Sequence, residues 1–344
     1  MEVRFSFNKQ GSKSYSASSA NHNHKNTQTQ RQIQNNTNTK ANKKTNSISQ
    51  NTKIRQTNSV IDGQDVLKEL DVLVGLNEVK LLIKELRAYV LVQKARSKEK
   101  LTNEAMVLHM VFKGNPGTGK TTVARILGSF FKEMGILSKG HLVEVERADL
   151  VGEYIGHTAM RARESIKNAL GGVLFVDEAY SLARGGDKDF GREAIDCLVK
   201  GMEDNRDNII LILAGYKNEM EKLIRTNPGL RSRFPIHIEF PDYTLEELVK
   251  IAEEMLTQRD YYFSIDAKIK LETVLKKHIA SGHAQIGNAR MVRNIVEKSI
   301  RKQAYRLVEK NTMSRDDLLI INANDIYEDL DYSSGIETYL KKVK

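Results

Sequence analysis

The eight residues 114–121, with the sequence GNPGTGKT, constrain this chain more than any other stretch. Two glycines stand five positions apart and are followed directly by a lysine and a hydroxyl residue, which is the spacing of a phosphate-binding loop. Glycine permits the tight turns that aim several backbone N–H groups at one anion. In this pattern Lys120 reaches the β- and γ-phosphates, and the Thr121 hydroxyl ligates Mg²⁺. The stretch therefore predicts a site for a nucleoside triphosphate.

The residues on either side of this loop have the pattern that such a site needs. Residues 106–112 form an apolar run that predicts a buried strand, and the apolar spacing in 122–134 predicts a helix leaving the loop. The positive end of that helix would add to the attraction for phosphate. The predicted nucleotide contacts are Gly114, Asn115, Pro116, Gly117, Thr118, Gly119, Lys120, Thr121 and Thr122.

A second decisive stretch ends in two acids. Residues 173–176 are all apolar and predict a fully buried strand, and Asp177 and Glu178 follow directly. Two carboxylates at that position would be costly if they were buried without partners, and a magnesium–phosphate site would supply those partners. We therefore expect Asp177 to hold Mg²⁺, directly or through water, and Glu178 to polarise the attacking water.

Strands and helices alternate through the middle of the chain. Four further apolar runs predict strands at residues 142–145, 173–176, 209–215 and 236–240. Segments with helical spacing separate them, which predicts an α/β fold with a five-stranded parallel sheet. In such a sheet the ligand lies at the carboxyl ends of the strands.

The pattern becomes helical from residue 244 to about residue 310, and Thr244 with Glu247 has the spacing of a capping box. A smaller all-α domain is therefore expected after Pro241. The residues after 316 hold a short apolar run and a weak helical pattern. The predicted boundaries are 1–60 for a leader, 61–241 for the α/β domain, 242–315 for the helical domain and 316–344 for a C-terminal extension.

The net charge of +10 comes from one end of the chain. Residues 1–60 contain ten Lys or Arg and one acid, so the remainder is close to neutral. The neutral body argues against nucleic acid as a partner. Asn, Ser, Thr, Gln and Lys dominate the leader, which predicts a disordered tail, with a basic arm for an acidic partner as the alternative.

Cysteine usage and hydropathy favour a cytoplasmic location. The single cysteine, Cys197, excludes an intrachain disulfide and fits a reducing compartment. Its helical context favours a small buried hydrophobe over a reactive thiol. No apolar run approaches the length of a membrane span, and the N-terminus lacks the apolar core of a signal peptide.

Two glycine-containing stretches are further candidates for contacts. Gly75 and Leu76 form an apolar turn before the phosphate loop, and they could pack on an adenine ring; a plain helix start is the alternative. Tyr154 and Ile155 precede Gly156 in a predicted loop, where Tyr154 is either presented to a partner or packed beneath the loop.

The order of these motifs resembles that of the AAA+ ATPases. More narrowly, residues 71–307 resemble the family of stage V sporulation protein K and the red-type rubisco activase CbbX. Beside the phosphate loop, the likeness rests on EYIGHT at 153–158, DEAYSL at 177–182 and NPGLRSRF at 227–234. The stretches 185–191 and 292–301 place the chain nearest the sporulation branch of that family. The leader is not part of the match.

The resemblance assigns roles to three arginines. Arg233 looks like an arginine finger, which reaches the γ-phosphate held by a neighbouring subunit, and Arg231 is a second candidate. Arg290 looks like a lid arginine that senses the same phosphate.

The resemblance also implies a pore. Tyr154, Ile155 and Gly156 look like a loop that grips an extended peptide, and residues 184–191 look like a second loop near the pore. Related ATPases usually place a polar sensor, often Asn, after the fourth strand. Here Tyr216 and Asn218 are both candidates for that role.

Taken as a whole, the resemblance implies an ATP-driven enzyme that forms a homo-oligomeric ring, a hexamer, and remodels or threads a protein client, with a role in sporulation. ATP and Mg²⁺ are the implied cofactors. The alternatives are a nucleotide-switched scaffold that binds partners without pulling them and, less favoured, a nucleic-acid motor. The sequence indicates neither the client nor a small effector such as a sugar phosphate.

Overall fold

The computed structural model describes residues 64–102, 107–185, 189–280, 287–310 and 313–327. Three predictions fall wholly or partly elsewhere. The predicted disordered leader (1–60), the middle of the predicted second pore loop (186–188) and most of the predicted C-terminal extension (328–344) lie outside the described residues.

A five-stranded parallel sheet forms the centre of the α/β domain, as predicted. Its strands are β1 (Met110–Gly114), β2 (Leu142–Val145), β3 (Val173–Val176), β4 (Ile210–Gly215) and β5 (Ile236–Phe240). They lie in the order β2-β3-β4-β1-β5, and every neighbouring pair is parallel. Because β1 lies between β4 and β5, the phosphate loop leaves from an interior strand.

Helices cover both faces of this sheet. They are α1 (Gln64–Val72), α2 (Asn77–Lys98), α3 (Lys120–Glu133), α4 (Arg147–Leu150), α5 (His157–Ala169), α6 (Gly191–Asp204), α7 (Lys217–Thr226) and α8 (Pro228–Arg233). Strands covered on both sides need apolar residues on both faces, which is why β1, β3 and β4 are nearly continuous apolar runs rather than alternating ones.

Two apolar layers therefore form, one on each side of the sheet. In the first, the Phe112 ring lies 6.3 Å from that of Phe175 and 4.9 Å from that of Phe240. Val111, the preceding strand residue, belongs to the second layer. Cys197 packs against this second layer but is half-buried rather than buried, and the burial that it has raises the pKa of its thiol.

The domain after β5 is mainly helical and has its own apolar core. Its elements are α9 (Leu245–Thr257), β6 (Tyr262–Phe263), α10 (Ile265–Ala280), α11 (Asn288–Glu309), α12 (Arg315–Leu319) and β7 (Ile320–Ile321). The predicted capping box is present at the start of α9: the Glu247 carboxylate accepts from the N–H of Thr244 at 2.8 Å, and the Thr244 hydroxyl accepts from the N–H of Glu247 at 3.3 Å.

This domain differs from the prediction in two respects. It contains a short parallel pairing of β6 with β7, so it is not built of helices alone. Ile321 and Ile326 are completely buried in its core, which places residues beyond 315 inside it. A partly buried ion pair joins that end to α11: the Arg306 guanidinium donates to both carboxylate oxygens of Asp325 at 2.9 Å. Two paired residues are too few to leave an alternating pattern in the sequence.

Hydropathy adds one observation about the helices. Over the described ranges, none of them combines the length and the apolar character that crossing a membrane requires.

Candidate active site

The phosphate loop joins the end of β1 to the start of α3. Gly119 has a φ of 96° and forms the N-cap of α3, which begins at Lys120. The free N–H groups of the first helical turn therefore lie at the loop, where they favour an anion. Gly117 has a φ of 74°, and a Cβ there would lie 2.5 Å from the carbonyl oxygen of Gly287. Position 117 therefore needs glycine for two reasons: its backbone is left-handed, and the helical domain approaches too closely to leave room for a side chain.

Lys120 is folded back over its own loop. Its ammonium group donates to the carbonyl oxygens of Gly114 at 2.9 Å and Asn115 at 2.8 Å. Burial lowers the pKa of Lys120, while the nearby negative charge of Asp177 opposes that shift. The structure therefore brings the predicted lysine and the predicted metal-binding acid into one electrostatic site.

The acid pair lies at the carboxyl end of β3. Asp177 accepts a hydrogen bond from the N–H of Glu178 at 2.9 Å, and Glu178 is exposed with a left-handed φ of 46°. A non-glycine residue in that conformation is uncommon and is found disproportionately at functional sites. The Thr121 hydroxyl donates to Glu144 at 3.4 Å, which adds an acid that the sequence did not indicate.

The side chains at this position suit Mg²⁺. Thr121 and Asp177 supply hard oxygen donors, and Mg²⁺ sites typically combine one or two carboxylates with phosphate oxygens and water. Over the described residues no cluster of three or more His, Cys, Asp or Glu forms a complete protein cage. The donor set thus fits a metal that is held jointly by the protein and a nucleotide.

An amide network ties the phosphate loop to the helical domain. Asn288 is fully buried, and its side-chain N–H groups donate to Pro116 at 3.4 Å and Asp242 at 2.8 Å. Its carbonyl oxygen accepts from the N–H of Tyr243 at 3.0 Å. Asn115 donates to the two carboxylate oxygens of the same Asp242 at 3.0 and 2.9 Å. Because single Asn and Asp residues form no recognisable spacing, the sequence did not indicate this network.

Arg290 lies next to the phosphate loop because it belongs to the same first turn of α11 as Asn288. The N–H of Ala289 donates to the carbonyl of Gly117 at 3.1 Å, and a Cβ on Gly117 would lie 3.2 Å from the Cβ of Arg290. The positive charge of Arg290 is one of the influences that lower the pKa of Lys120. The structure therefore brings this arginine together with the phosphate loop.

The turn at Gly75 and Leu76 lies on another side of the loop. Both residues have left-handed backbones, with φ of 65° and 56°, and Leu76 is buried. A Cβ on Gly119 would lie 3.6 Å from Leu76 and 3.3 Å from the Tyr243 hydroxyl, which donates to the Thr118 carbonyl at 3.3 Å. The turn is thus next to the nucleotide loop, and its contact with adenine stays a prediction.

Arg233 and Arg231 lie on α8, whose first turn is capped by Asn227. In the described chain Arg233 contacts Glu203, Gly229 and Ser232 and has no contact with its own phosphate loop. Arg231 is exposed. This separation is what a residue acting on another subunit needs, and the finger role of either arginine stays a prediction.

The predicted pore loop is presented to solvent. Tyr154 is 66% exposed and Ile155 is 90% exposed, so the alternative that Tyr154 packs beneath the loop is wrong. The Tyr154 ring meets only the edge of His157, with centroids 5.4 Å apart. Gly156, with a φ of 82°, forms the N-cap of α5 and sets the direction of the loop.

The two candidate sensors differ in position. Asn218 is exposed in the first turn of α7, whereas Tyr216 is half-buried and its ring lies 5.8 Å from that of Tyr180. Burial and the neighbouring charge of Glu178 raise the pKa of Tyr180 to about 12. Tyr216 is therefore one aromatic contact away from the acid pair, and the sensor assignment remains open between the two residues.

Two family models match this chain. The model of the ATPase family associated with various cellular activities (AAA) matches residues 110–242, and the AAA lid domain model matches residues 244–335. Solved structures of the FIGL-1 AAA domain share the fold. One has a TM-score of 0.51 at 16% identity and covers 79% of this chain and 87% of that chain, and the one in complex with ADP has a TM-score of 0.50 at 18% identity.

Curated relatives are much closer in sequence. Stage V sporulation protein K of Bacillus subtilis is 53% identical, over 76% of this chain and 82% of the relative. Protein CbbX of Cereibacter sphaeroides is 49% identical over 71% and 79%, and protein CfxQ of Xanthobacter flavus is 44% identical over 79% and 86%. This chain therefore belongs to the AAA ATPases, in the family that includes stage V sporulation protein K and the CbbX and CfxQ proteins.

Proposed function

We propose that this protein is a Mg²⁺-dependent ATP hydrolase that assembles into a hexameric ring in the cytoplasm and remodels a protein client at the central pore. The observation that carries the proposal is the juxtaposition of three parts. The Lys120 ammonium group and the Asp177 carboxylate share one electrostatic site, and Arg290 of the helical domain lies against the same loop. This is what binding and sensing one triphosphate requires.

The chain's own residues divide the work of phosphoryl transfer. The loop N–H groups and Lys120 bind the β- and γ-phosphates, and Thr121 with Asp177 would hold Mg²⁺. When bound, the metal neutralises charge on the phosphate oxygens. Glu178 orients the attacking water and takes its proton. Arg233 of a neighbouring subunit stabilises the transferring phosphate, with Arg231 as the second candidate.

The amide network supplies a route from hydrolysis to movement. Asn288, Ala289 and Arg290 open α11, and all three lie against the loop that holds the triphosphate. Loss of the γ-phosphate would remove a partner of Arg290 and so change the angle between the α/β domain and the helical domain. That change moves Tyr154 and Ile155, whose exposed side chains grip the client.

The relatives support a remodelling role more than a particular client. Their names include a sporulation protein and a ribulose bisphosphate carboxylase/oxygenase activase, so relatives of similar sequence carry names that refer to different processes. We propose a sporulation role for this protein because the sporulation relative is the more similar of the two at 53% identity against 42%. Crosslinking from a photoreactive residue at Tyr154 in cells would identify the client.

Replacement of Tyr154 by Ala separates a motor from a scaffold. In a motor, Tyr154→Ala abolishes remodelling of the captured client while basal ATPase activity stays within about twofold, because Tyr154 contacts no residue of the phosphate site. Met160→Ala, an exposed apolar residue of α5, is the control and leaves both activities unchanged. Undiminished client remodelling by Tyr154→Ala would remove this residue from the gripping role. A wild-type protein that captures the client in an ATP-dependent manner but does not remodel it would support a nucleotide-switched scaffold. ATPase stimulation by DNA or RNA with a steep salt dependence would support a nucleic-acid motor.

A further inference from the structure

The candidate arginine finger is held by a carboxylate from a different helix. The Nε–H of Arg233 donates to Oε1 of Glu203, at the end of α6, at 2.7 Å. Nη1 donates to the Gly229 carbonyl at 3.2 Å and contacts the Ser232 hydroxyl at 3.4 Å. Within the described part of the chain Nη2 makes no hydrogen bond. Two of the three guanidinium nitrogens are thus bonded inside their own subunit, and Nη2 is left for another partner.

The backbone around Arg233 is already fixed by other contacts. The Asn227 side chain accepts from the N–H of Leu230 at 3.2 Å and caps α8. Phe234 is 1% exposed and packs on the ring of His109, with centroids 5.8 Å apart. The long Arg233 side chain is the part that stays free to move, and an arginine has several rotatable bonds. Glu203 restrains that remaining freedom.

We expect the ion pair between Glu203 and Arg233 to contribute little to stability. Both side chains are partly exposed, at 47% and 35%, and pairs of this kind contribute about 0–1 kcal/mol. A charge-assisted hydrogen bond to the planar guanidinium does, however, fix its direction. Glu203 also lies at the far end of the helix that begins at Gly191, directly after the predicted second pore loop. Helix α6 therefore runs from the end of that predicted loop to the carboxylate that bonds to Arg233.

We propose that Glu203 is a positioning residue for Arg233, which holds Nε so that Nη2 reaches the γ-phosphate bound by the neighbouring subunit. The inference rests on the proposed function, because it requires a finger that acts between subunits. A misplacement of about 1 Å at such a group can reduce turnover by about 100-fold. We therefore expect Glu203→Ala to lower kcat about tenfold or more while the Kd for ATP stays within about twofold.

Two variants refine this expectation. Glu203→Gln keeps a side-chain oxygen that accepts from Nε–H but removes the charge, so its kcat should lie between those of the wild type and Glu203→Ala. Asp204→Asn removes one negative charge from the same helix turn. The hydrogen bonds of Arg233 in the described chain go to Glu203, Gly229 and Ser232 and not to Asp204, so this control should keep the wild-type kcat.

Mixed assemblies test the inference directly. A Lys120→Ala subunit has no working site but keeps its finger, and an Arg233→Ala subunit keeps its site but has no finger. Where the two meet, the proposed function predicts a working composite site. Adding Glu203→Ala to the Lys120→Ala subunit should lower the recovered ATPase activity about tenfold. Adding it to the Arg233→Ala subunit should have no effect, because that subunit has no finger to position.

The outcomes separate the inference from the proposed function. If the parental mixture recovers no activity, the finger between subunits is wrong and the inference fails with it. If the parental mixture is active, a loss of ATPase activity only when Glu203→Ala is added to the Lys120→Ala subunit, which bears the finger, supports a positioning role. An equal loss of ATPase activity in both arms indicates a structural role for Glu203 and overturns the inference. No loss in either arm overturns it as well. A rise in ATPase activity also overturns it, because Glu203 would then be holding the finger away from the γ-phosphate rather than directing it there. If Glu203→Ala does not fold, Glu203→Gln replaces it in the same mixed assemblies, with the same comparison of ATPase activity.

Discussion

At the scale of single residues, the site depends on where a few charges are placed. Lys120 bonds to two carbonyls of its own loop while Asp177 lies close enough to influence its pKa. A bound triphosphate would offer phosphate oxygens to the lysine in place of those carbonyls. Glu178 is exposed beside this arrangement, where a water molecule can reach its carboxylate. These placements make Glu178 the residue whose removal should affect chemistry and spare binding.

Glu178→Gln tests that division. The amide keeps the shape of the side chain but cannot take a proton, and general bases typically contribute 10²–10⁴-fold. We expect ATP turnover to fall about 100-fold or more, while the Kd for ATP, measured by titration calorimetry, stays within about threefold. Glu164→Gln, an exposed acid on α5, is the matched control and should turn over ATP normally. Turnover near the wild-type rate in Glu178→Gln would remove this residue from its assigned role.

At the scale of elements, the start of α11 is the part that the phosphate loop and the helical domain share. Asn288 is fully buried and has a left-handed φ of 43°, so it is held in a costly conformation by its contacts with Pro116, Tyr243 and Asp242. Asn tolerates that conformation better than most residues because of its short polar side chain. The domain contact is therefore specific to this residue.

Replacing this residue should loosen the two domains and weaken nucleotide binding together. Asn288→Ala leaves buried hydrogen-bonding groups without their partner, a loss of about 1–3 kcal/mol in unfolding free energy. We expect a lower thermal midpoint and an ATP Kd raised about tenfold, both read from thermal unfolding with and without ATP. Asn168→Ala, at an exposed position of α5, provides the control. Equal midpoints and equal ATP affinities in the two variants would mean that this network does not join the domains.

The elements also divide into those that the sequence could predict and those that it could not. The phosphate loop, the Asp177–Glu178 pair and the five strands depend on local spacing and on apolar runs, and the structure has all of them. The pairing of Asn288 with Asp242 and that of Arg233 with Glu203 join residues far apart in the chain. Single polar residues leave no periodic signal, so only the folded chain identifies such partners.

At the scale of the whole molecule, one chain brings Lys120, Asp177 and Arg290 to its own phosphate loop but places neither candidate finger there. Arg233 is turned toward its own α6, and in the described residues neither it nor Arg231 contacts the phosphate loop. The proposed finger would therefore come from a second copy, and we expect hydrolysis to depend on assembly. Tyr154 and Ile155, exposed on every copy, would then face a common channel.

Native mass spectrometry of Glu178→Gln with Mg²⁺ and ATP tests this account most directly, because that variant should keep the triphosphate intact. We expect a hexamer that carries bound ATP, and we expect Lys120→Ala under the same conditions to carry none. A Glu178→Gln protein that binds ATP and yet remains a monomer at every concentration would contradict the account.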